Sequence, residues 1–95
     1  MTVRVNSQDA RYFAASLRED IYTIDLHGIL SLHTAIEQLE KELFFCSIHD
    51  HDVCRVVHGI GSGAMKRAVH AALEASPLID DFQMSADGGS TIVLL

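Results

Sequence analysis

Alternating apolar and polar positions predict a strand followed by a long helix in the first half of the chain. Residues 21–27 alternate with the two-residue period of a half-buried strand, which ends at Gly28. Ser31 stands in the N-cap position of the helix that follows, because a side-chain oxygen there can accept a hydrogen bond from the first turn. The apolar face of this helix consists of Leu32, Ala35, Ile36, Leu39, Leu43 and Cys46.

The second half of the chain repeats this pattern and then adds two strands. Residues 53–57 are rich in β-branched side chains and predict a second strand. A second helix follows, and Ser76-Pro77 stop it. Strands near residues 82–85 and at 91–95 flank a turn at Asp87-Gly88-Gly89. The apolar face of the second helix consists of Met65, Ala68, Val69, Ala72 and Leu73.

The resulting order, βαβαββ, predicts an α/β two-layer sandwich with a mixed four-stranded sheet. Two right-handed crossovers make the first strands parallel, and the short glycine turn makes the last strand antiparallel. The two main helices would cover one face of the sheet. Residues 21–95 would form this domain, and residues 1–20 an N-terminal arm with a short amphipathic helix. The apolar stripe of the arm is expected to cover part of the domain or a partner, and consists of Ala10, Phe13, Ala14 and Leu17.

Composition places the chain among small globular proteins. Its 95 residues, 48% of them hydrophobic, fit one domain with a single core. No apolar run approaches the ~20 residues of a membrane span, and the first residues lack the apolar stretch of a signal peptide. Cys46 and Cys54 are therefore expected to be reduced thiols in a cytoplasmic protein.

The net charge of −6 opposes indiscriminate binding to nucleic acid, because phosphates favour an excess of Lys and Arg. This charge is unevenly distributed. Residues 53–73 contain Arg55, Lys66 and Arg67 and no acidic residue. A locally neutral-to-positive strip can still contact phosphates, so these three side chains are candidate nucleic-acid contacts.

Chemically reactive side chains follow the two parallel strands, at the edge where ligands collect in βα units. Asp25 and His27 end the first strand, and His58 ends the second. Asp25 and His27 lie two positions apart, so both side chains point to the same face. A histidine can pass a proton to a leaving oxygen while a neighbouring carboxylate orients it or acts as a base. The spacing alone favours a structural role for Asp25, which would satisfy backbone amides at the strand end. It leaves His27 open between a catalytic role and that of a polar edge residue.

Three glycines after the second strand indicate an anion site. Gly59, Gly61 and Gly63 would let a phosphate approach the backbone amides that open the second helix. The alternative is that Gly59 merely ends the strand and Gly63 permits close packing. A dinucleotide-binding fingerprint fits less well, because only one further parallel strand follows.

A group of metal-ligand residue types lies between the first main helix and the second strand: Cys46, His49, His51 and Cys54. The group lacks the close Cys-x-x-Cys pairing of zinc sites, and it falls at the opposite end of the sheet from the glycines. We therefore predict a solvated loop without a metal. His33 and His70 fall away from the apolar helix faces, which predicts surface positions for both.

The segments Asp25-Leu26-His27-Gly28 and His58-Gly59-Ile60-Gly61-Ser62-Gly63 together resemble the paired signature of the Smr (small MutS-related) domain. The resemblance covers the chain from about Tyr22 to Leu95. It implies a fold similar to the C-terminal domain of translation initiation factor 3. It also implies nucleic-acid binding and, in several members, an endonuclease activity that nicks or cleaves the backbone.

The resemblance carries roles over to particular residues of this chain. Those implied in cleavage are Asp25 and His27, and those implied in substrate contact are His58, Gly59 and Gly61. Ile60 departs from the family pattern, in which this position is often Lys or Arg. The loss of that phosphate contact agrees with the acidic balance of the chain.

These residues lead to a phosphodiesterase hypothesis with DNA or RNA as substrate. A phosphate would lie on the amides of residues 61–63, with His27 or His58 as general acid and Asp25 as base or as the group that holds the imidazole. No carboxylate cluster suits a two-metal site. A single Mg²⁺ shared between Asp25 and the substrate phosphates is one route, and attack by the 2′-hydroxyl of RNA without a metal is another.

Two other functions use the same features of the sequence. A non-catalytic module would hold nucleic acid at the same edge, which Ile60 and the net charge favour. A protein-interaction domain would instead bind a partner, or a second copy of itself, through the N-terminal helix.

Overall fold

The computed structural model describes residues 7–95, so the first six residues of the predicted arm lie outside the described part of the chain. A short helix precedes the order βαβαββ, as predicted. The elements are α1 (Ser7–Ser16), β1 (Tyr22–Asp25), α2 (Leu32–Ile48), β2 (Val53–Val57), α3 (Ala64–Ala75), β3 (Asp81–Met84) and β4 (Ser90–Leu94).

The four strands form one mixed sheet in the order β1-β2-β4-β3. Strands β1 and β2 are parallel and in a register that aligns Asp25 with Val57. Strand β4 lies between β2 and β3 and is antiparallel to both. The sheet is therefore mixed, as the βαβαββ order predicts, and the ends of β1 and β2 lie side by side at one edge.

The main core lies between the sheet and the helices α2 and α3. Ser31 caps α2 by accepting a hydrogen bond from the backbone N–H of Thr34 at 3.3 Å. The buried side chains of this core include Ile24, Leu26, Leu39, Leu43, Val56, Val69, Leu73 and Val93. These residues occupy the apolar positions that the sequence pattern assigns to the strands and helices, so the hydrophobic effect determines which face each element buries.

Helix α1 packs on the opposite face of the sheet, through a different side from the one its apolar stripe suggests. Ala15 is buried against Val53 and Leu94 in a second, smaller cluster. Phe13 and Leu17 of the expected stripe are instead 69% and 70% exposed. Of the two expectations for this stripe, contact with the domain does not hold for these side chains, and contact with a partner stays a prediction.

Polar contacts explain which side of α1 faces the sheet. The guanidinium of Arg11 donates to Asp80 at 2.7 Å and to the backbone oxygen of Leu95 at 3.0 Å. The hydroxyl of Tyr12 donates to Asp81 at 2.8 Å. These contacts hold α1 over the start of β2. The other end of the same face, where β1 and β2 end, is left uncovered.

Between residues 7 and 95, no helix is both long enough and apolar enough to cross a membrane.

Candidate nucleic-acid interface

Asp25 and His27 form a hydrogen-bonded pair on the uncovered face of the sheet. The Nδ1 atom of His27 lies 2.6 Å from Oδ1 of Asp25, and the backbone N–H of His27 donates to the same oxygen at 3.1 Å. The two side chains are 64% and 55% exposed, for His27 and Asp25 respectively. A substrate can therefore reach both groups from solvent.

The pairing determines which nitrogen of His27 is available for chemistry. An ionised carboxylate only accepts hydrogen bonds, so Nδ1 carries the proton and Nε2 is the remaining site for proton transfer. The hydrogen bond from His27 lowers the pKa of Asp25 below its usual value of 3.8. Asp25 is therefore ionised at neutral pH and can orient the imidazole.

The segment between β2 and α3 forms a small hollow, the glycine cradle, which is lined by residues 58–66 and has a volume of about 130 Å³. Gly63 precedes α3 with a φ of 85°, a left-handed conformation that favours glycine. Backbone N–H groups that open a helix lack intrahelical acceptors and attract anions. Lys66 also lines the cradle. Its ammonium group and the backbone amides of the loop together suit a phosphate.

The turn between β3 and β4 holds the glycine cradle in place. The carbonyl of Gly89 accepts hydrogen bonds from the N–H groups of His58 and Gly59, at 3.1 and 2.9 Å. Gly59 has a φ of 81°, and a Cβ there would lie 3.4 Å from Cβ of His27. The cradle and the Asp25–His27 pair are thus neighbours at one edge, as the parallel arrangement of β1 and β2 predicts.

A second and larger hollow, the outer hollow, opens beside the cradle with a volume of about 350 Å³. Asp87 lies in it, and the N–H of Gly89 donates to this carboxylate at 2.8 Å. That backbone hydrogen bond, with smaller effects that include the charge of Arg55, lowers the pKa of Asp87 below 3.8. The residues around the outer hollow include His27, Arg55, Val57, Ile60, Asp87 and Ser90.

His58 lies apart from the Asp25–His27 pair, on the helix-covered face of the sheet. It is only 4% exposed, and its Nε2 lies 3.0 Å from the Thr91 hydroxyl. Its Nδ1 lies 3.0 Å from the carbonyl of Gly59. Both ring nitrogens are therefore occupied within the protein, which leaves His58 in a position to shape the cradle rather than to donate a proton to a substrate.

His70 shares the Thr91 hydroxyl with His58, and this corrects the prediction of a surface position for His70. The Nε2 of His70 lies 2.8 Å from Oγ1 of Thr91, and its ring packs against Phe82. Because the Gly59 carbonyl can only accept, Nδ1 of His58 donates to it, and in the neutral ring Nε2 accepts from the Thr91 hydroxyl. Thr91 then accepts from His70. His33, in contrast, is exposed at the start of α2, as predicted.

The three predicted basic residues lie around the edge at different places. Arg55 lies on the uncovered face in the middle of β2, beside the outer hollow. Lys66 lies at the glycine cradle. Arg67 is exposed and donates to the backbone oxygen of Ser62 at 3.4 Å. Lys66 and Arg67 thus lie at the start of α3, where they can meet a bound anion.

The predicted group of metal-ligand residue types combines two buried thiols, in α2 and β2, with two histidine rings of the connecting loop. Cys46 and Cys54 are free and buried. The rings of His49 and His51 pack against Phe45, with centroid distances of 4.2 and 6.2 Å. Within residues 7–95, no three His, Cys, Asp or Glu side chains are grouped so that they could hold a metal ion.

Two residues that contribute to this edge, Asp87 and Thr91, did not stand out in the sequence. Asp87 belongs to a glycine turn, and its only signal was its place before Gly88-Gly89. Thr91 is a buried hydroxyl in a β-branched strand, where it resembles an ordinary strand residue. Only the tertiary structure brings them to the strand ends.

Comparison with known proteins assigns this arrangement to a family. The family model of the Smr domain matches residues 24–95. The chain belongs to the Smr domain family. The match begins within β1 and includes both the Asp25–His27 pair and the glycine cradle.

Curated relatives of this Smr protein are named Endonuclease MutS2. The protein from Halothermothrix orenii is 32% identical over 74 residues, and that from Aquifex aeolicus is 33% identical over 75 residues. These alignments cover 76% and 77% of this chain but only 9% and 10% of the relatives. The chain therefore spans about a tenth of the length of each.

A solved structure supports the same assignment. The crystal structure of the Smr domain of Thermus thermophilus MutS2 is similar to this chain with a TM-score of 0.74 and 26% sequence identity. The similarity covers 79% of this chain and 98% of that domain. The α/β fold with its mixed four-stranded sheet is thus the fold of a known Smr domain.

Proposed function

We propose that this Smr protein binds nucleic acid at the edge formed by the ends of β1 and β2 and cleaves a phosphodiester bond there. The observation that carries this proposal is the placement of the Asp25–His27 pair next to the glycine cradle. A proton-transfer group and an anion site lie next to each other and open to solvent. The endonuclease names of the MutS2 relatives support the same reaction.

In the proposed reaction, the cradle holds a backbone phosphate and His27 moves the proton. Backbone amides of the cradle and Lys66 offset the charge that develops on the phosphate oxygens. Nε2 of His27, when protonated, donates to the leaving oxygen. Asp25 holds the imidazole through Nδ1 and stabilises its cationic form. His58 keeps the Gly59 carbonyl in place and takes no part in proton transfer.

The nucleophile distinguishes two forms of this proposal. With RNA, the 2′-hydroxyl attacks the neighbouring phosphate and gives its proton to Oδ2 of Asp25 or to solvent, while Nε2 of His27 protonates the leaving 5′-oxygen. The products carry a cyclic phosphate and a free 5′-hydroxyl. With DNA, a water molecule must attack, and a Mg²⁺ shared between Asp25 and the phosphate would assist it. Cleavage that continues in EDTA favours the first form, and cleavage that needs Mg²⁺ favours the second.

The test is cleavage of labelled single-stranded RNA, duplex DNA and branched DNA by purified protein, with Mg²⁺ and with EDTA. Asp25→Asn and His27→Ala should each remove cleavage and retain binding. Asp50→Asn and His33→Ala are matched controls, because both residues are exposed and neither lines the glycine cradle or the outer hollow. Equal cleavage by wild type and by both site variants would overturn the proposal.

Binding without cleavage would support a second candidate, a non-catalytic nucleic-acid-binding module. Ile60 favours it, because this exposed side chain lies at the cradle where a basic residue would contact a phosphate. In that case Lys66→Ala or Arg67→Ala weakens binding and lowers its salt dependence, whereas Asp25→Asn changes little.

Self-association through α1 is a third candidate, favoured by the exposure of Phe13 and Leu17. An apolar stripe on a helix that is already anchored by Arg11 is available to a second copy of the chain. Light scattering should then show a dimer that the double variant Phe13→Ser/Leu17→Ser converts to a monomer. A wild-type monomer at high concentration would contradict it.

A further inference from the structure

Ile60 forms a ridge between the glycine cradle and the outer hollow. It belongs to the lining of both, on the loop that joins β2 to α3. Although its side chain is apolar, it is 82% exposed. The side chain lies over Gly89, where an added Cβ would come within 3.4 Å of Cγ1 of Ile60. An exposed apolar side chain thus lies between two sites of different character.

The two hollows suit different chemical groups. The glycine cradle, at about 130 Å³, is small and is lined by backbone and Lys66, which suits a phosphate. The outer hollow, at about 350 Å³, lies within the ~300–1,000 Å³ range of small-molecule sites. Asp87 and Arg55 give it one charge of each sign, so it attracts a phosphate less than the cradle does, and Ile60 and Val57 add apolar surface.

We propose that the outer hollow binds an unpaired nucleobase that packs on Ile60, next to the phosphate in the cradle. This inference rests on the proposed function and names its substrate class. A base in a duplex keeps its faces stacked on its neighbours, so it cannot enter the hollow. The substrate is therefore a single strand or an unpaired segment. In this arrangement the carboxylate of Asp87 accepts a hydrogen bond from an amino group of the base. Arg55 lies beside the bound nucleic-acid strand.

The charge of the protein is consistent with this mode of binding. With a net charge of −6, phosphate contacts alone give weak affinity for a duplex. Apolar side chains that pack against the faces of unstacked bases supply affinity without added positive charge, and this affinity depends little on the sequence. Ile60 is placed to make such a contact where a lysine would favour a backbone phosphate instead.

The experiment measures binding of a short DNA single strand that carries 2-aminopurine, and of a hairpin duplex of the same sequence, in EDTA. Wild type should bind the single strand more tightly and change its 2-aminopurine fluorescence. Ile60→Ala should weaken single-strand binding roughly 5-fold, because it removes most of the apolar surface on which the base packs, and should leave duplex binding nearly unchanged. Ile60→Lys should strengthen duplex binding.

Ile48→Ala is the matched control, because Ile48 is also exposed but ends α2 at the other end of the molecule. If wild type binds both oligonucleotides equally, or Ile60→Ala binds the single strand as wild type does, the inference is wrong while the proposed function stands. If no oligonucleotide binds at all, the proposed function itself fails. Cleavage that depends on His27 with no effect of Ile60 would likewise reject only the inference.

Discussion

His27 and His58 follow neighbouring parallel strands, yet their side chains lie on opposite faces of the sheet. The side chain of His27 is 64% exposed and pairs with Asp25, whereas His58 is 4% exposed beneath the helices. This follows from strand geometry, because His27 continues the uncovered side of β1 and His58 continues the core side of β2. One histidine is thus available for chemistry, and the other supports the loop beside it.

Thr91→Val should destabilise the protein by about 1–3 kcal/mol, because it removes the hydroxyl that joins His58 to His70 and leaves buried nitrogens without partners. Thr91→Ser keeps the hydroxyl and should cost less. Urea unfolding measures the difference between the two variants. Equal stability of Thr91→Val and Thr91→Ser would show that the hydroxyl contributes nothing.

The stability of the protein should fall in mild acid because of His70. Burial first, and then the nearby His58 and Lys66, lower the pKa of His70 below its usual 6.5, while Glu74 opposes them. Between that lowered pKa and 6.5, the unfolded chain binds more protons than the folded chain. The free energy of unfolding therefore decreases as the pH falls through this window.

Replacing His70 with Gln tests this pH dependence, since the Gln amide can still donate to Thr91. Denaturant titrations at several pH values below 6.5 should give a smaller pH slope for His70→Gln than for wild type. His33→Gln is the control, because it removes an exposed histidine at the start of α2 and shows how the loss of a histidine elsewhere changes the pH slope. The same slope for His70→Gln and wild type would rule out this role for His70.

Gly59→Ala should impair both stability and cleavage. Its left-handed φ of 81° costs an L side chain about 1–2 kcal/mol, and the new Cβ would touch Cβ of His27 at 3.4 Å. Gly88→Ala is the matched control, since Gly88 has a φ of 74° and open space around it. Both variants should lose similar stability in thermal unfolding, but only Gly59→Ala should slow cleavage. Equal slowing by both would mean that strain, not the contact with His27, is responsible.

The orientation of α1 can be checked by two substitutions on its two sides. Ala15→Asn buries a polar group against Val53 and Leu94 and should cost roughly 1–3 kcal/mol. Phe13→Ser, on the exposed side, should change stability by less than about 0.5 kcal/mol. The reverse order of the two effects, measured by urea unfolding, would show that the apolar stripe faces the sheet after all.

The sequence predicts the strands, the main helices and the meeting of the two strand ends. The hydrophobic period determines the elements, and their order along the chain determines which ends meet. The apolar alternation that ends in Leu26 gives the buried side of β1, and the βα order brings Gly59 next to His27. The same alternation places His58 on the buried side with Val56. The hypothesis that His58 acts as a general acid rests on its position in the motif. It does not take into account the face of the sheet on which the side chain lies.

Other features depend on tertiary contacts that periodicity does not encode. Helix α1 follows a good apolar stripe through Phe13, yet Arg11 and Tyr12 find partners on distant segments and turn a different side to the sheet. His70 lies off the apolar stripe of α3 but still reaches Thr91, because the sheet extends beneath that side of the helix. Local pattern decides which helix forms, and distant polar partners decide how it is rotated.

The most direct test of the account is single-turnover cleavage of single-stranded RNA by His27→Ala, with and without added imidazole. Loss of the proton-transfer group should slow cleavage roughly 10²–10⁴-fold. Because the His27 site is open to solvent, imidazole should restore part of the rate, whereas it should leave the His33→Ala control unchanged. Cleavage by His27→Ala at the wild-type rate would contradict the central claim that His27 transfers the proton.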